Sequence, residues 1–347
     1  MEIPTLLSPA QLIPLMQTVK TARRCVVCAH RGPDGDALGS SLGMAEYLRK
    51  IGKQVTIVMP TAFPDFLRWM PGAADVIIFE EHEAEARQSI KEADLIVCLD
   101  FGQLSRLGDM GEVVARAKAK RICIDHHLDP DPTVADVIVS HPEACSTCEL
   151  VFRVIDELGG YERMSRSGAA CLYTGMMTDT GAFAYNSTRS EVYVIIARLL
   201  AKGIDKDKIY RHVYYNYSEH RLRFVGYVMN EKLQFYLGHR ASIFTITREE
   251  MKRFNYLRGD AEGLVNMPLQ VKGMKLSVSL REDTEKDVVR VSLRSVDDFP
   301  CNEMAARFFN GGGHLNASGG ELPFPLSEAV KTVEAAIAAY EDRLKAK

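Results

Sequence analysis

The residues that first suggest chemistry in this 347-residue chain are Asp125, His126 and His127. They directly follow a short apolar run, 122–124, that predicts a buried strand. In an open α/β sheet, ligand-binding side chains gather just beyond the carboxyl ends of the strands. Because adjacent strand residues point to opposite sides, we expect His126 and His127 to have different tasks, one binding a metal and the other facing a substrate. Asp125 is suited to hydrogen-bond an imidazole and fix its tautomer.

A second group of polar residues occupies one predicted strand-to-helix loop. The strand predicted at 25–29 runs into His30, Asp34 and Asp36, and a helix is predicted over 37–50. Asp34 and Asp36 are two positions apart, so we expect them to face two different ions. Asp36 stands where a helix cap is expected, and capping is compatible with metal ligation.

Two more isolated acids end predicted elements. Asp100 follows the apolar strand predicted at 95–99, and Asp179 follows the helix predicted at 167–177. Several acids and imidazoles at the ends of different elements are difficult to explain by packing alone.

Together these residues predict a centre for two divalent cations. Mn²⁺ or Mg²⁺ is expected ahead of Zn²⁺, because the set contains no thiolate, and Mn²⁺ is expected before Mg²⁺. Carboxylates crowded into one pocket repel each other unless cations neutralise them. Two ions about 3.5–4 Å apart can clamp a phosphoryl group and activate water, and His127 is a suitable donor of a proton to the leaving oxygen. The sequence therefore predicts hydrolysis of a phosphoester or phosphoanhydride. The expected ligands are His30, Asp34, Asp36, Asp100, His126 and Asp179.

The elements that must position these residues indicate an α/β fold. Short strands alternate with helical stretches in the first half, which predicts right-handed βαβ units and a mainly parallel sheet. The other strands expected there lie at 55–58, 76–79 and 134–140, and a short helix at 113–118. A smaller C-terminal α/β domain is expected to contain strands at 233–236, 241–246, 276–280 and 288–293, and helices at 302–309 and 326–345. The expected domains are 1–190 for the metal centre, 191–231 for a helical linker and 232–347 for substrate binding.

The C-terminal part contributes a candidate substrate-binding group. Arg294 ends a predicted strand, and Gly312, Gly313 and His314 lie in a glycine-rich turn. Consecutive glycines let backbone amides approach a phosphate or a base closely. We therefore expect these four residues to bind substrate.

Composition limits the classes of partner. A formal net charge of −3 argues against a long basic groove for polynucleotides, and a short oligonucleotide or a mononucleotide remains compatible. The eight cysteines are scattered as expected for reduced thiols in the cytosol. No apolar run reaches the roughly 18–20 residues of a membrane span, and the N-terminus lacks the pattern of a signal peptide. A cytoplasmic protein without membrane contact is expected.

The ordered motifs resemble those of the DHH phosphoesterase family with its DHH-associated C-terminal domain. They are His30-x3-Asp34-x-Asp36, Asp100, Asp125-His126-His127, Asp179-Thr180-Gly181 and Gly311-Gly312-Gly313-His314. In length and domain order the chain is most similar to the nanoRNase/pAp-phosphatase branch. The resemblance implies release of mononucleotides from RNA of a few nucleotides, and dephosphorylation of 3′-phosphoadenosine 5′-phosphate (pAp) to AMP.

The resemblance also implies a role for each residue. His30 and Asp34 would hold one metal, Asp36 and His126 the other, and Asp100 and Asp179 would bridge the two. His127 would lie by the scissile phosphate, supported by Asp125. Arg294 and His314 would bind substrate from the second domain across an interdomain cleft. A homodimer is compatible with the family, and the oligomeric state stays open.

Several alternatives stay open at this point. A phosphodiesterase for linear or cyclic dinucleotides would use the same residues, and so would a RecJ-like single-strand exonuclease or an exopolyphosphatase. The alternative outside enzymes is a non-catalytic nucleotide sensor, which we expect to have lost some of the six ligands. Long duplex nucleic acid is not an expected partner.

Overall fold

The computed structural model describes residues 3–257 and 259–346. The chain divides into two compact units, 1–216 and 217–347. The boundary between them falls within the segment expected to be a linker.

The first unit contains one parallel sheet with helices on both faces. Its six strands lie in the order β3-β2-β1-β4-β5-β6, and every neighbouring pair runs parallel. The strands are β1 (Arg24–Ala29), β2 (Gln54–Met59), β3 (Ile77–Ile78), β4 (Leu95–Leu99), β5 (Lys120–Asp125) and β6 (Val137–Ser140). The helices are α1 (Pro9–Thr21), α2 (Gly35–Lys50), α3 (Glu83–Glu92), α4 (Asp109–Arg116), α5 (Thr147–Glu157), α6 (Arg166–Asp179), α7 (Ser190–Ala201) and α8 (Lys206–Tyr214). The α/β prediction and its parallel sheet are confirmed.

The strands of this unit bury both faces, which is why they read as continuous apolar runs. Val27 belongs to a core formed with α2, α5 and α6, while its neighbours Val26 and Cys28 belong to a core on the other face, formed with α3 and α4. Alternation along the strand thus fills two cores at once.

The second unit is built on a mixed sheet in the order β11-β12-β10-β9-β8-β7. Among the described strands of this sheet, β8 and β9 pair in parallel, and the other neighbouring pairs are antiparallel. The strands are β7 (Gln234–Tyr236), β8 (Ala241–Ile246), β9 (Leu276–Glu282), β10 (Val288–Ser295), β11 (Gly312–His314) and β12 (Ala317–Pro323). The helices are α9 (Glu219–Tyr227), α10 (Arg248–Arg253), α11 (Cys301–Phe308), α12 (Leu326–Ala339) and α13 (Glu341–Lys345).

Some predicted boundaries differ from the structure. The helix expected at 113–118 spans Asp109–Arg116, because the chain turns extended at Ala117. The helix expected at 326–345 is interrupted at Tyr340, whose ring packs against Phe299 and Phe308 in the core. Part of the expected glycine-rich turn forms the strand β11.

No helix among residues 3–257 and 259–346 is both long and apolar enough to cross a membrane.

Candidate metal centre

Three neighbouring strands deliver the polar residues to one edge of the parallel sheet. β1 lies between β2 and β4, and β5 follows β4. His30 comes directly after β1, Asp100 directly after β4, and Asp125 and His126 at the end of β5. The chain leaves β1 towards β2 on one side, while β4 lies on the other. Such a change of direction opens a crevice at the carboxyl ends of the strands, where α/β proteins bind ligands.

The loop after β1 places two acids at the start of α2. Asp34 is the N-cap, and its Oδ1 accepts hydrogen bonds from the backbone N–H groups of Asp36 and Ala37, both at 3.0 Å. Asp36 lies in the first turn and is 1% exposed. The expectation that Asp36 would be the cap is therefore wrong, because the helix begins two residues earlier than predicted.

The two buried imidazoles are oriented by backbone carbonyls. His30 Nδ1 lies 3.0 Å from the carbonyl oxygen of Arg31, and His126 Nδ1 lies 3.2 Å from that of Ala144. A carbonyl only accepts, so each Nδ1 carries the proton and donates it. The Nε2 atom of each ring is then a lone-pair donor, as in metal-bound histidines.

Both Nε2 atoms face carboxylates at distances too long for good hydrogen bonds. His30 Nε2 lies 3.4 Å from Asp100 Oδ2. His126 Nε2 lies 3.6 Å from Asp100 Oδ1, 3.5 Å from Asp179 Oδ2 and 3.9 Å from Asp36 Oδ2. Such spacings suit donor atoms arranged around a cation.

The donor atoms of the residues expected to be ligands form two clusters that share Asp100. One consists of His30, Asp34 and Asp100, and the other of Asp36, Asp100 and His126, each with ligand atoms within 4.8 Å of one another. Asp179 adjoins the second cluster through His126. The structure thus brings together all six of the residues expected to be ligands.

His127 and Asp125 form a separate pair beside these clusters. His127 Nδ1 donates a hydrogen bond of 2.7 Å to Asp125 Oδ1, and the Asp125 side chain is fully buried. His127 Nδ1 also lies 3.8 Å from Asp100 Oδ1. The pair has the geometry of an imidazole whose orientation is set by a buried acid.

Burial and like charge perturb the acids strongly. Burial, reinforced by the charges of Asp100, Asp179 and Asp34, raises the pKa of Asp36 well above its ordinary value. Burial also raises the pKa of Asp179 to about 6, against the opposing effect of His126. Burial acts in the same direction on Asp100, but the facing imidazole of His30 and, after it, those of His127 and His126 hold the pKa of Asp100 below its usual range. The protein alone therefore does not compensate all the negative charge of this pocket.

The chemistry of the donor set fits hard or intermediate divalent cations. The donors are carboxylate oxygens and imidazole nitrogens, as such ions prefer. One thiol, that of Cys148, donates a hydrogen bond to the backbone carbonyl oxygen of Asp36 at 3.6 Å. Burial, together with the charge of Asp36, raises the pKa of this thiol well above its ordinary value. Burial acts to lower the pKa of His30 and of His126. The surrounding carboxylates outweigh burial, so the pKa of each imidazole is raised.

Sequence reasoning missed one contributor to this pocket, the first turn of α5. The Thr147 hydroxyl and the backbone N–H groups of Thr147 and Cys148 bind the carboxylates of Asp100 and Asp36. The local signal is the Ser146-Thr147 pair, whose residue types are typical of a helix start, where unpaired backbone N–H groups can bind a carboxylate.

The residues expected to bind substrate lie together in the second unit. Arg294 on β10 is in register with Ala317 on β12, which is in turn in register with His314 on β11. Gly312 and Gly313 occupy the same edge strand. Gly313 has φ +140°, and a Cβ there would lie 2.6 Å from the carbonyl oxygen of Ala317. Glycine is therefore required for β11 to lie this close to β12.

Comparison with known proteins identifies two domain families in this chain. The DHH family N-terminal domain matches residues 24–176, and the DHHA1 domain matches residues 243–346. The chain is 28% identical to the bifunctional oligoribonuclease and PAP phosphatase NrnA of Thermus thermophilus, over 85% of this chain and 83% of that protein. It is 26% identical to the Bacillus subtilis protein of the same name, over 89% of this chain and 92% of that protein.

A solved structure resembles the whole chain. The crystal structure of an exopolyphosphatase-related protein from Bacteroides fragilis is 47% identical, with a TM-score of 0.94, and the match covers 99% of this chain and 100% of that one. The chain therefore belongs to the DHH family of phosphoesterases, hydrolases of phosphoester bonds, and joins a DHH domain to a DHHA1 domain.

Proposed function

We propose that this protein hydrolyses short oligoribonucleotides to mononucleotides and pAp to AMP, using two divalent metal ions. The observation that carries the proposal is the pair of imidazole–carboxylate clusters sharing Asp100 at the edge of the parallel sheet. The two NrnA relatives, similar over most of their length, supply the substrate class.

We assign His30 and Asp34 to one metal, Asp36 and His126 to the other, and Asp100 and Asp179 to both. Manganese is favoured over magnesium because the set mixes imidazole with carboxylate. Two such ions, when bound, neutralise the phosphoryl oxygens and make hydroxide available near neutral pH. The carboxylates and imidazoles would fix where each ion lies.

Other residues of the chain act on the substrate. His127, oriented by Asp125 through Nδ1, would donate a proton from Nε2 to the leaving oxygen. Arg294 would pair with a substrate phosphate, and His314 with the backbone amides of Gly312 and Gly313 would bind the phosphate or the base.

The eight cysteines are buried free thiols, which suits a reducing cytoplasm, and we propose that location.

The test is turnover with Mn²⁺ on a matched panel of substrates: pAp, a five-nucleotide RNA, linear diadenylate, a long single-stranded DNA, pyrophosphate and polyphosphate. We expect AMP from pAp and mononucleotides from the short RNA. His126→Ala should abolish both, while His82→Ala, which changes an exposed histidine before α3, should leave both intact.

Other outcomes would contradict the proposal. Preference for the long DNA would indicate a RecJ-like exonuclease, and preference for diadenylate a dinucleotide phosphodiesterase. Hydrolysis of polyphosphate alone would indicate an exopolyphosphatase. No turnover on any substrate, with metal bound, would support a nucleotide sensor.

A further inference from the structure

The first turn of α5 contacts both acids of the cluster formed by Asp36, Asp100 and His126, and Asp100 is also shared with the other cluster. The backbone N–H of Thr147 donates to Asp36 Oδ2 at 2.6 Å, and that of Cys148 donates to Asp36 Oδ1 at 2.9 Å. The Thr147 hydroxyl donates to Asp100 Oδ1 at 2.9 Å. Thr147 therefore binds Asp36 through its backbone and Asp100 through its side chain.

The backbone conformation of Asp100 is unusual, but it does not set the orientation of the carboxylate. Its backbone has φ 64°, a left-handed conformation that a non-glycine residue adopts only when its surroundings impose it. The terminal torsion of an aspartate is broad, so the backbone alone does not fix the rotation of the carboxylate. In the structure Oδ1 faces His126 at 3.6 Å and Oδ2 faces His30 at 3.4 Å. The Thr147 hydroxyl holds Oδ1 on the His126 side.

The start of α5 is itself firmly held, as a positioning element requires. Ser146 caps the helix by accepting from the N–H of Glu149 at 3.1 Å, and Glu149 Oε2 accepts from the N–H of Cys145 at 2.8 Å. Glu149 is fully buried and pairs with Arg153 and Arg189. These reciprocal bonds satisfy backbone donors at the helix start and resist its displacement.

Small residues on the facing helices allow this approach. A Cβ atom on Gly175 of α6 would lie 2.9 Å from Asp36 Oδ1 and 2.2 Å from Cys148 Sγ. A Cβ atom on Gly39 of α2 would lie 2.6 Å from the carbonyl oxygen of Cys171. The close packing of α2, α5 and α6 therefore leaves Asp36 little freedom to move away from α5.

We propose that Thr147 is a positioning residue, which fixes the carboxylates of Asp36 and Asp100 relative to each other in the metal-free protein. The inference rests on the proposed function, because it takes these acids to be metal ligands. Its consequence is that the hydroxyl contributes to metal affinity without touching the metal. Residues that orient ligands in this way typically contribute a factor of about 10 to 100 to metal affinity or activity.

The chain offers a matched set of variants. Thr147→Val keeps the shape and the backbone N–H but removes the hydroxyl, and Thr147→Ser restores the hydroxyl. Thr174→Val is the control, since Thr174 is a fully buried helical threonine whose hydroxyl binds the carbonyl oxygen of Ala170 at 2.7 Å. The readouts are the Mn²⁺ dissociation constant from titration calorimetry, and metal-free thermal unfolding as a check of folding.

We expect Thr147→Val to bind Mn²⁺ about 10- to 100-fold more weakly, with Thr147→Ser and Thr174→Val near wild type. Wild-type affinity in folded Thr147→Val would overturn the positioning role, and so would an equal loss in Thr174→Val. If the wild-type protein itself fails to bind Mn²⁺, the proposed function fails first. If the wild type binds and turns over pAp but Thr147→Val binds equally well, only this inference fails.

Discussion

Replacement of Gly175 by alanine tests how closely α6 must approach the metal centre. Gly175 is buried in α6, and an added Cβ would meet Cys148 Sγ at 2.2 Å, Asp36 Oδ1 at 2.9 Å and Asp36 Cα at 3.0 Å. The contacts with Cys148 Sγ and Asp36 Oδ1 lie below 3 Å and force a displacement, and the contact with Asp36 Cα, a backbone atom of α2, leaves little room for it. We therefore expect Asp36 to shift from its position between α5 and α6.

Two opposing contributions determine the stability of this variant. Alanine favours a helix interior over glycine by about 0.8–1 kcal/mol. Overpacking a buried site costs about 1–3 kcal/mol. The expected net loss in the free energy of unfolding is about 0–2 kcal/mol. Because this loss is small, we expect a folded protein in which the displacement of Asp36 weakens Mn²⁺ binding by about 10-fold or more.

Gly226→Ala is the matched control. Gly226 lies in α9, where an added Cβ meets nothing within 4 Å, so only the helix preference operates. The free energy of unfolding of this variant should rise by about 0.5–1 kcal/mol, and its affinity for Mn²⁺ should equal that of the wild type. Guanidinium unfolding without metal and Mn²⁺ titration calorimetry measure both quantities. A Gly175→Ala protein that gained stability like Gly226→Ala and bound Mn²⁺ as the wild type does would refute the reasoning.

Two further predictions concern single acids. Asp125→Asn should lower kcat about 10- to 100-fold with little change in KM, because the charge that orients His127 is lost. Steady-state kinetics on pAp measure both constants, and an unchanged kcat would remove Asp125 from the proposed mechanism. Burial would raise the pKa of Asp283, but the N–H groups of Glu285 and Lys286 and the Arg290 guanidinium lower it from 3.8 to about 2. Since the folded pKa lies below the unfolded one, the ionised Asp283 stabilises the fold above about pH 4, and this contribution is lost as the pH falls towards 2. Asp283→Asn should therefore lower the free energy of unfolding, measured in urea at pH 7, by about 1–2 kcal/mol. The difference from the wild type should shrink at pH 3, and a difference independent of pH would contradict this prediction.

The sequence alone predicted the parallel sheet and the set of candidate ligands. Apolar runs such as 95–99 and 122–124 indicate strands buried on both faces, since a partly exposed strand would alternate. Parallel strands present their carboxyl ends at one edge, so acids and histidines that follow different strands are expected to converge. His30, Asp100 and His126 could be brought together by this rule without any coordinates.

The sequence could not predict which atoms hold those side chains in place. Thr147 contacts Asp36 from 111 positions away in the chain and Asp100 from 47. The carbonyl oxygen of Ala144 orients His126, and Gly175 allows α6 to pack against both Asp36 and Cys148. Such contacts depend on how α2, α5 and α6 pack over the sheet, and no local pattern reports that packing. Composition and periodicity thus determined which residues reach the edge of the sheet, while tertiary packing alone decided their orientation, because hydrogen-bond geometry depends on distances between elements that are remote in the chain.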